Sequence, residues 1–205
     1  MFKINSPFTS IFYRDCNHHA TCNDQSHILW AWAKNAKPTV LPESVAFKLA
    51  PEEYVVMQIH YKNPFKEPDH SGVTAKISSI QPKYFAGIYL LWRFSLNIPA
   101  GVPETSGDMN CRWNQNIPLN IFAFRPHAHS LGKRIIGMKT DGKTRESKII
   151  ADGDPQKPQA FYPLKDIVTI KPGDSLFARC TYDSTSKSRS TNIGKPFFIE
   201  CREWK

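Results

Sequence analysis

Short apolar runs, alternating or continuous and broken by proline, glycine or polar clusters, recur along this chain and set its expected elements. After CNHHATC (16–22), SHILWAWAKNA (26–36) fits either a short helix capped by Ser26 or a loop laid over a sheet, and Pro38 and Pro42 limit any regular helix beyond it. VAFKL (45–49) and EEYVVMQIHY (52–61) are two β-propensity runs separated by APEE, and a hairpin is their simplest pairing. In the second run Val56, Gln58 and His60 share one strand face while Val55, Met57, Ile59 and Tyr61 share the other, so His60 stands on the less apolar side. NPFKEPDHSG (63–72) is polar, SGVTAKISSI (71–80) alternates again into a strand, and a domain seam is expected near residues 73–83. Beyond it the expected strands lie near 84–98, 109–113, 119–128, 133–140, 145–151, 167–169, 175–182 and 196–202, and STSKSRSTN (184–192) reads as a mobile polar loop. Many short strands with turn residues between them predict an all-β chain, a β-sandwich or jelly roll.

Composition narrows this picture. With 205 residues, 40% hydrophobic and 22% charged, the chain holds one substantial core or two small domains, and extended disorder is excluded as its main state. Proline (16) outnumbers glycine (10) without any repeat, which disfavours long helices and excludes a collagen-like chain. No window reaches the roughly 18 uninterrupted apolar residues of a membrane span; the best run, YFAGIYLLWRFSL, is broken by Arg93. Lys3, Asn5 and Ser6 interrupt the first residues, so no ordinary signal peptide is visible. The net charge of +9 is scattered, with no glycine-framed RNA motif, zinc-finger spacing or basic helix, so nucleic acid is not an expected partner.

Chemistry concentrates in IFAFRPHAHS (121–130). His127 and His129 are separated by one residue, so on extended backbone both imidazoles leave the same face and can converge on one metal. Imidazole suits copper and zinc alike, and the spacing does not choose between them. Arg125 shares that face, and its guanidinium suits a substrate carboxylate through paired hydrogen bonds. His60 is a further candidate ligand, while the adjacent His18 and His19 would chelate only from a bend. G-x-S-x-G, H-E-x-x-H, P-loop and C-x-x-C motifs are absent, which leaves a metal site on a β scaffold as the leading chemistry. The five cysteines, Cys16, Cys22, Cys111, Cys180 and Cys201, are disulfide candidates, and their odd number leaves at least one without an internal partner.

ILWAWAKNA with PTVLP, then YVVMQIHY, DHSGV, YFAGIYL, NIFAFRPHAHSLGK, PQAFYP and GDSLFARC together resemble successive blocks of the copper type II, ascorbate-dependent monooxygenases. FRPHAHSLGK and PQAFYP are more similar to the peptidylglycine alpha-hydroxylating branch than to the catecholamine branch. The resemblance implies an antiparallel jelly-roll β-sandwich in two parts, a remnant of the N-terminal copper domain at 1–78 and most of the C-terminal one at 79–205. It implies two coppers in the family, one accepting electrons from ascorbate and one binding molecular oxygen and substrate. His60 then corresponds to the third histidine of the electron-transfer copper, His127 and His129 to the two histidines of the oxygen-binding copper, and Arg125 to the grip on a glycine-extended peptide's carboxylate. The expected product is a peptidyl alpha-hydroxyglycine, released as amidated peptide by a separate lyase, in a secreted or secretory-vesicle location.

The chain also departs from the family pattern. The family's adjacent histidine pair lies upstream of the ILWAWA-like block, and its late methionine ligand has no counterpart after Met138. His18 and His19, Met109 and Met138 are the available substitutes, and Phe197–Phe198 fall near a substrate-contacting tyrosine. Cys16 and Cys22 resemble cysteines whose partners lie upstream. Cys111 and Cys180 resemble cysteines whose partners lie downstream or in the shortened loop, Cys201 would serve one of these two as partner, and His70 stands where the family has another cysteine. The expectation is therefore an incomplete chain, with a truncated or degenerate, inactive sandwich that binds one copper weakly as the alternative to an active monooxygenase.

Overall fold

The computed structural model describes residues 2–3, 28–33, 35–49, 54–59, 61, 67–91, 93 and 95–193. Among these residues the regular structure is all strand, with no helix, as the turn-rich pattern predicts. The segment 28–33 takes the loop alternative of the two readings offered for it. No helix of the described residues is long and apolar enough to cross a membrane.

The chain divides into two compact units. The first comprises Met1–Leu29 with Leu41–Gly87, and the second Trp30–Val40 with Ile88–Lys205. In the first, β1 (Phe2–Lys3) pairs antiparallel with β3 (Tyr54–Val55), while β2 (Val45–Phe47) pairs parallel with β4 (Tyr84–Ala86). The expected hairpin between VAFKL and YVVMQIHY therefore does not form. A parallel partner needs a long connection, and the chain between Phe47 and Tyr84 supplies one, so β2 pairs with β4 instead of its neighbour in sequence. The strand expected over SGVTAKISSI is also absent, its residues being exposed and without ladder partners. Near its start, the Asp69 carboxylate accepts the backbone N–H and hydroxyl of Ser71, a local turn that competes with strand pairing.

The second unit is a sandwich. Its larger sheet orders β6 (Thr105–Arg112), β11 (Ser175–Tyr182), β8 (Gly132–Thr140) and β9 (Ser147–Gly153), all antiparallel. Across the core stand β7 (Leu119–Phe124) and β10 (Tyr162–Ile170), and β5 (Leu96–Ile98) pairs with β12 (Thr191–Ile193). Trp113, Ile170 and Leu176 form the buried centre, packed by Leu119, Ile121 and Val168 from the β7–β10 pair and by Ile150 from β9. Tyr89 meets Trp113 edge-on at 5.6 Å, and the Trp113 indole N–H donates to Ile117 O at 2.7 Å, which satisfies the polar tip of a ring otherwise in the core. The apolar run over 84–98 forms two short strands among its described residues, Tyr84–Ala86 and Leu96–Ile98. The strand expected at 167–169 extends to Tyr162–Ile170, because a register shift between Pro163 and Val168 accommodates the proline. Of the loop expected to be mobile, Ser184 is fully buried and bonded to Pro99 and Val102, so its first residue is anchored.

Candidate metal and carboxylate site

β7 ends at Phe124, earlier than the strand expected over 119–128, yet the alternation continues beyond it. Pro126 and Ala128 are buried while His127 and His129 are exposed, so both imidazoles do leave one face. Their ring centroids are 5.7 Å apart and nearly perpendicular, at 86°. A turn closed by Gly132 N–H to His129 O, at 2.9 Å, leads into β8. Gly132 is required by close approach here: a Cβ on it would lie 2.5 Å from that of Ala128.

The partner of this segment comes from the far side of the β7–β10 pair. Tyr162 faces Phe124 and Pro163 faces Ala123; carrying that register back along β10 sets Gln159 opposite His127. The side chains bear this out. Gln159 Oε1 lies 2.5 Å from His127 Nδ1, and Gln159 Nε2 donates to Pro155 O at 3.3 Å. Arg125 Nε donates to the main-chain carbonyl of the same Gln159 at 2.8 Å. Gln156, three residues earlier, donates through Nε2 to His129 O (3.1 Å) and Gly132 O (2.9 Å). The loop that carries both glutamines is stiff: Pro155 is fully buried, and Asp154 Oδ1 accepts Gln156 N–H at 2.8 Å. Sequence reasoning assigned neither glutamine a role. Their signals are the repeated Pro-Gln of PQKPQ and, for Gln159, the PQAFYP block, and a glutamine carries no chemistry until the register shows what it faces.

Arg125 is half-buried, and desolvation holds its pKa below the ordinary guanidinium value while leaving it a cation. Among the described residues no carboxylate pairs with it, and its two Nη groups meet no protein acceptor there. Arg134 and Arg179, by contrast, each bind an aspartate through two nitrogens. His60, His18, His19, Cys16, Cys22 and Cys201 lie outside the described residues. Cys111 and Cys180 are buried, and Cys180 is a free thiol, so the expectation that it forms a disulfide is corrected. It packs inside the larger sheet, where burial pushes its pKa up and disfavours the thiolate.

The family model of the copper type II ascorbate-dependent monooxygenase C-terminal domain matches residues 84–198, more than half of the chain, and that of the N-terminal domain matches residues 6–68. The chain belongs to this family. It is 35% identical over 201 residues to the peptidylglycine alpha-amidating monooxygenase of Rattus norvegicus, covering 95% of this chain and 20% of that protein. Against peptidyl-glycine alpha-amidating monooxygenase A of Xenopus laevis the identity is 36%, covering 95% of this chain and 21% of that protein. The DBH-like monooxygenase protein 1 of Gallus gallus is 31% identical over 80% of this chain and 30% of its own length. The chain thus spans about one fifth of the length of the amidating relatives it matches.

Copper type II monooxygenases depend on copper, and the donor set can be tested for it. With metal–nitrogen bonds of about 2 Å and roughly 1.1 Å from ring nitrogen to ring centre, two imidazoles sharing one ion have centroids at most about 6.3 Å apart. The His127–His129 separation of 5.7 Å falls within that limit. Neutral imidazoles are suitable copper donors, so the pair fits the ion. Among the described residues no group of three or more His, Cys, Asp or Glu side chains gathers, so no third donor of these types joins the two imidazoles there.

Proposed function

We propose that this chain is part of a copper- and ascorbate-dependent monooxygenase that hydroxylates the α carbon of the C-terminal glycine of glycine-extended peptides. The observation that carries this reading is Arg125, a half-buried cation with no carboxylate partner among the described residues, bonded to the main-chain carbonyl of Gln159, whose side chain also holds His127. A desolvated guanidinium beside a ligand histidine suits a substrate that ends in a carboxylate and reacts at the adjacent carbon. The peptide resemblance and the amidating relatives agree with that choice over a catecholamine.

His127 and His129 would hold the copper, which supplies the redox chemistry between molecular oxygen and the glycine C–H bond. One oxygen atom enters that bond and the other leaves as water, with two electrons drawn from ascorbate. Arg125 binds the terminal carboxylate and orients the α carbon toward the imidazole pair. The open groove lined by Ala33, Asn35 and the 155–159 loop offers the preceding peptide residues a bed. His60 belongs in this reading to the electron-transfer copper of the N-terminal domain, with the domains divided at 78/79. A separate lyase would act on the hydroxylated product. A secretory lumen is the compartment, and disulfides among Cys16, Cys22, Cys111 and Cys201 belong to the same proposal.

The test is turnover by the copper-loaded chain, with ascorbate and oxygen, of two peptides that differ only at the terminus, a glycine acid and its amide. Hydroxylation of the acid and not of the amide is expected. Equal turnover of both would remove Arg125 from its role. No turnover at copper saturation would leave the second reading, an inactive relative that binds one copper weakly, which the two-imidazole donor set among the described residues favours.

A further inference from the structure

We infer that Gln159 is the positioning residue of this site, fixing His127 as the Nδ1–H tautomer through its side chain and Arg125 through its main chain. The inference rests on the reading of His127 and His129 as metal ligands. The amide orientation of Gln159 decides the tautomer. Its Nε2 faces the Pro155 carbonyl, an acceptor with no proton to give, so the NH2 group must point there and Oε1 must point at His127. A carbonyl oxygen at 2.5 Å from Nδ1 demands a proton on that nitrogen, which leaves Nε2 of a neutral ring as the lone-pair donor. A histidine whose second nitrogen is held this way has its ring plane and its metal-binding atom set before any ion arrives.

The same residue reaches the other half of the site by a different atom. Arg125 Nε is spent on Gln159 O, which fixes the guanidinium to the main chain of the residue whose side chain holds His127. One residue thereby couples the ligand to the carboxylate anchor, and it does so because register places it across from His127. Gln156 holds the backbone at His129 and Gly132 but touches neither functional side chain through a side-chain bond, so it serves as the control within the same loop.

The two contacts of Gln159 separate by substitution. Gln159→Leu removes the Oε1 acceptor and keeps the main-chain carbonyl, whereas Gln159→Glu keeps an acceptor beside Nδ1. The first measurement is the tautomer of His127 in the metal-free protein, by long-range proton–nitrogen NMR, which distinguishes the two neutral tautomers from each other and from the doubly protonated ring. Nδ1–H is expected in the wild type and in Gln159→Glu, and its loss is expected in Gln159→Leu. The second is copper affinity by competition with a chelator, expected to fall roughly 10- to 100-fold in Gln159→Leu and to be largely restored in Gln159→Glu. If the copper-loaded enzyme turns over, Gln159→Leu is expected to keep its preference for the peptide acid over the amide, since Arg125 retains its carbonyl. An Nε2–H tautomer in the wild type, or equal copper affinity in wild type and Gln159→Leu, would overturn the inference. So would a Gln159→Glu variant as impaired as Gln159→Leu. The tautomer is read without copper or substrate, so it stands or falls independently of whether the protein hydroxylates peptides. Should Gln159→Leu fail to fold, the wild-type tautomer and the Gln159→Glu variant still decide.

Discussion

Asp174 and Arg125 are both charges taken out of water by the same sandwich, and the fold treats them in opposite ways. Asp174 is 3% exposed, and the chain surrounds it with donors. Lys139 Nζ lies at 2.8 Å, Lys171 N–H at 2.8 Å and Gly142 N–H at 3.0 Å. Burial pushes its pKa up, but the bonds from Lys139, Lys171 and Gly142 outweigh this and bring it down to about 2. Arg125, half-buried, receives one main-chain carbonyl and no carboxylate among the described residues. A charge whose partners are all supplied by its own chain holds strands together, whereas a charge left one partner short is a place for a ligand. Burial alone does not separate structural from functional charges; the completeness of their partners does.

The largest expected effect tests the structural half of that contrast. Asp174→Ala leaves the largely buried Lys139 without its counter-ion and two backbone N–H groups without this acceptor, and a loss of about 3–5 kcal/mol in denaturant unfolding is expected. The pH dependence carries its own sign. Because the folded pKa, about 2, lies below the ordinary 3.8, the stabilisation is fully present above that ordinary value and is lost as pH falls toward about 2. The stability difference between wild type and Asp174→Asn is therefore expected to shrink across that window. A difference that stays constant with pH would show that Asp174 does not act through its charge.

The functional half predicts the reverse pattern for Arg125. Arg125→Gln is expected to leave unfolding nearly unchanged, yet to cost roughly 10- to 150-fold in kcat/KM on a glycine-extended acid, the worth of a charge-assisted hydrogen bond of about 1.5–3 kcal/mol. The amide peptide is expected to lose little further. An Arg125→Gln variant that unfolds as readily as Asp174→Ala would erase the contrast and make Arg125 a structural residue.

Gly132 lies between these extremes, being a structural residue that touches the site. A Cβ there would meet the Ala128 Cβ at 2.5 Å, Pro155 Cγ at 3.3 Å and the carbonyl of His129 at 3.3 Å, with no flexible side-chain end to yield. Gly132→Ala is expected to cost about 1–3 kcal/mol of stability and to weaken copper binding, because the strain is relieved by moving the segment that carries both histidines. Unchanged copper affinity would show that the imidazole pair tolerates a displaced backbone.

How much of this was legible in the chain depends on whether its cause is local. SLFARCTY was expected as a strand over 175–182 and forms Ser175–Tyr182, because alternate side chains point into the core along its length. The shared face of His127 and His129 was legible for the same reason, since alternation outlives the ladder itself. The parallel pairing of β2 with β4 was not legible, because it is decided by a partner far along the chain and not by the run itself. Gln159 was hidden likewise: the block PQAFYP marked the segment, but the contact with His127 follows from the β7–β10 register. Lys139 and Asp174, also far apart in sequence, meet only once β8 and β11 pair.

The smallest expected effect belongs to the pair that most resembles a strong one on paper. Arg179 faces Asp108 directly across β11 and β6 and binds both its oxygens at 2.7 Å, and the Arg179 bond holds the Asp108 carboxyl below its ordinary pKa. Geometry alone would rank it with Lys139–Asp174. Yet the two side chains are 45% and 39% exposed, against 14% and 4% for Lys139 and Asp174. Water and salt therefore compete for each charge, and removing one partner leaves the other solvated instead of stranded. A double-mutant cycle on Arg179 and Asp108 is expected to give a small coupling that shrinks as ionic strength rises. A coupling of several kcal/mol that ignored salt would mean that two hydrogen bonds in good geometry suffice without burial. In that case partner completeness, and not burial combined with it, would be the whole difference between Asp174 and Arg125.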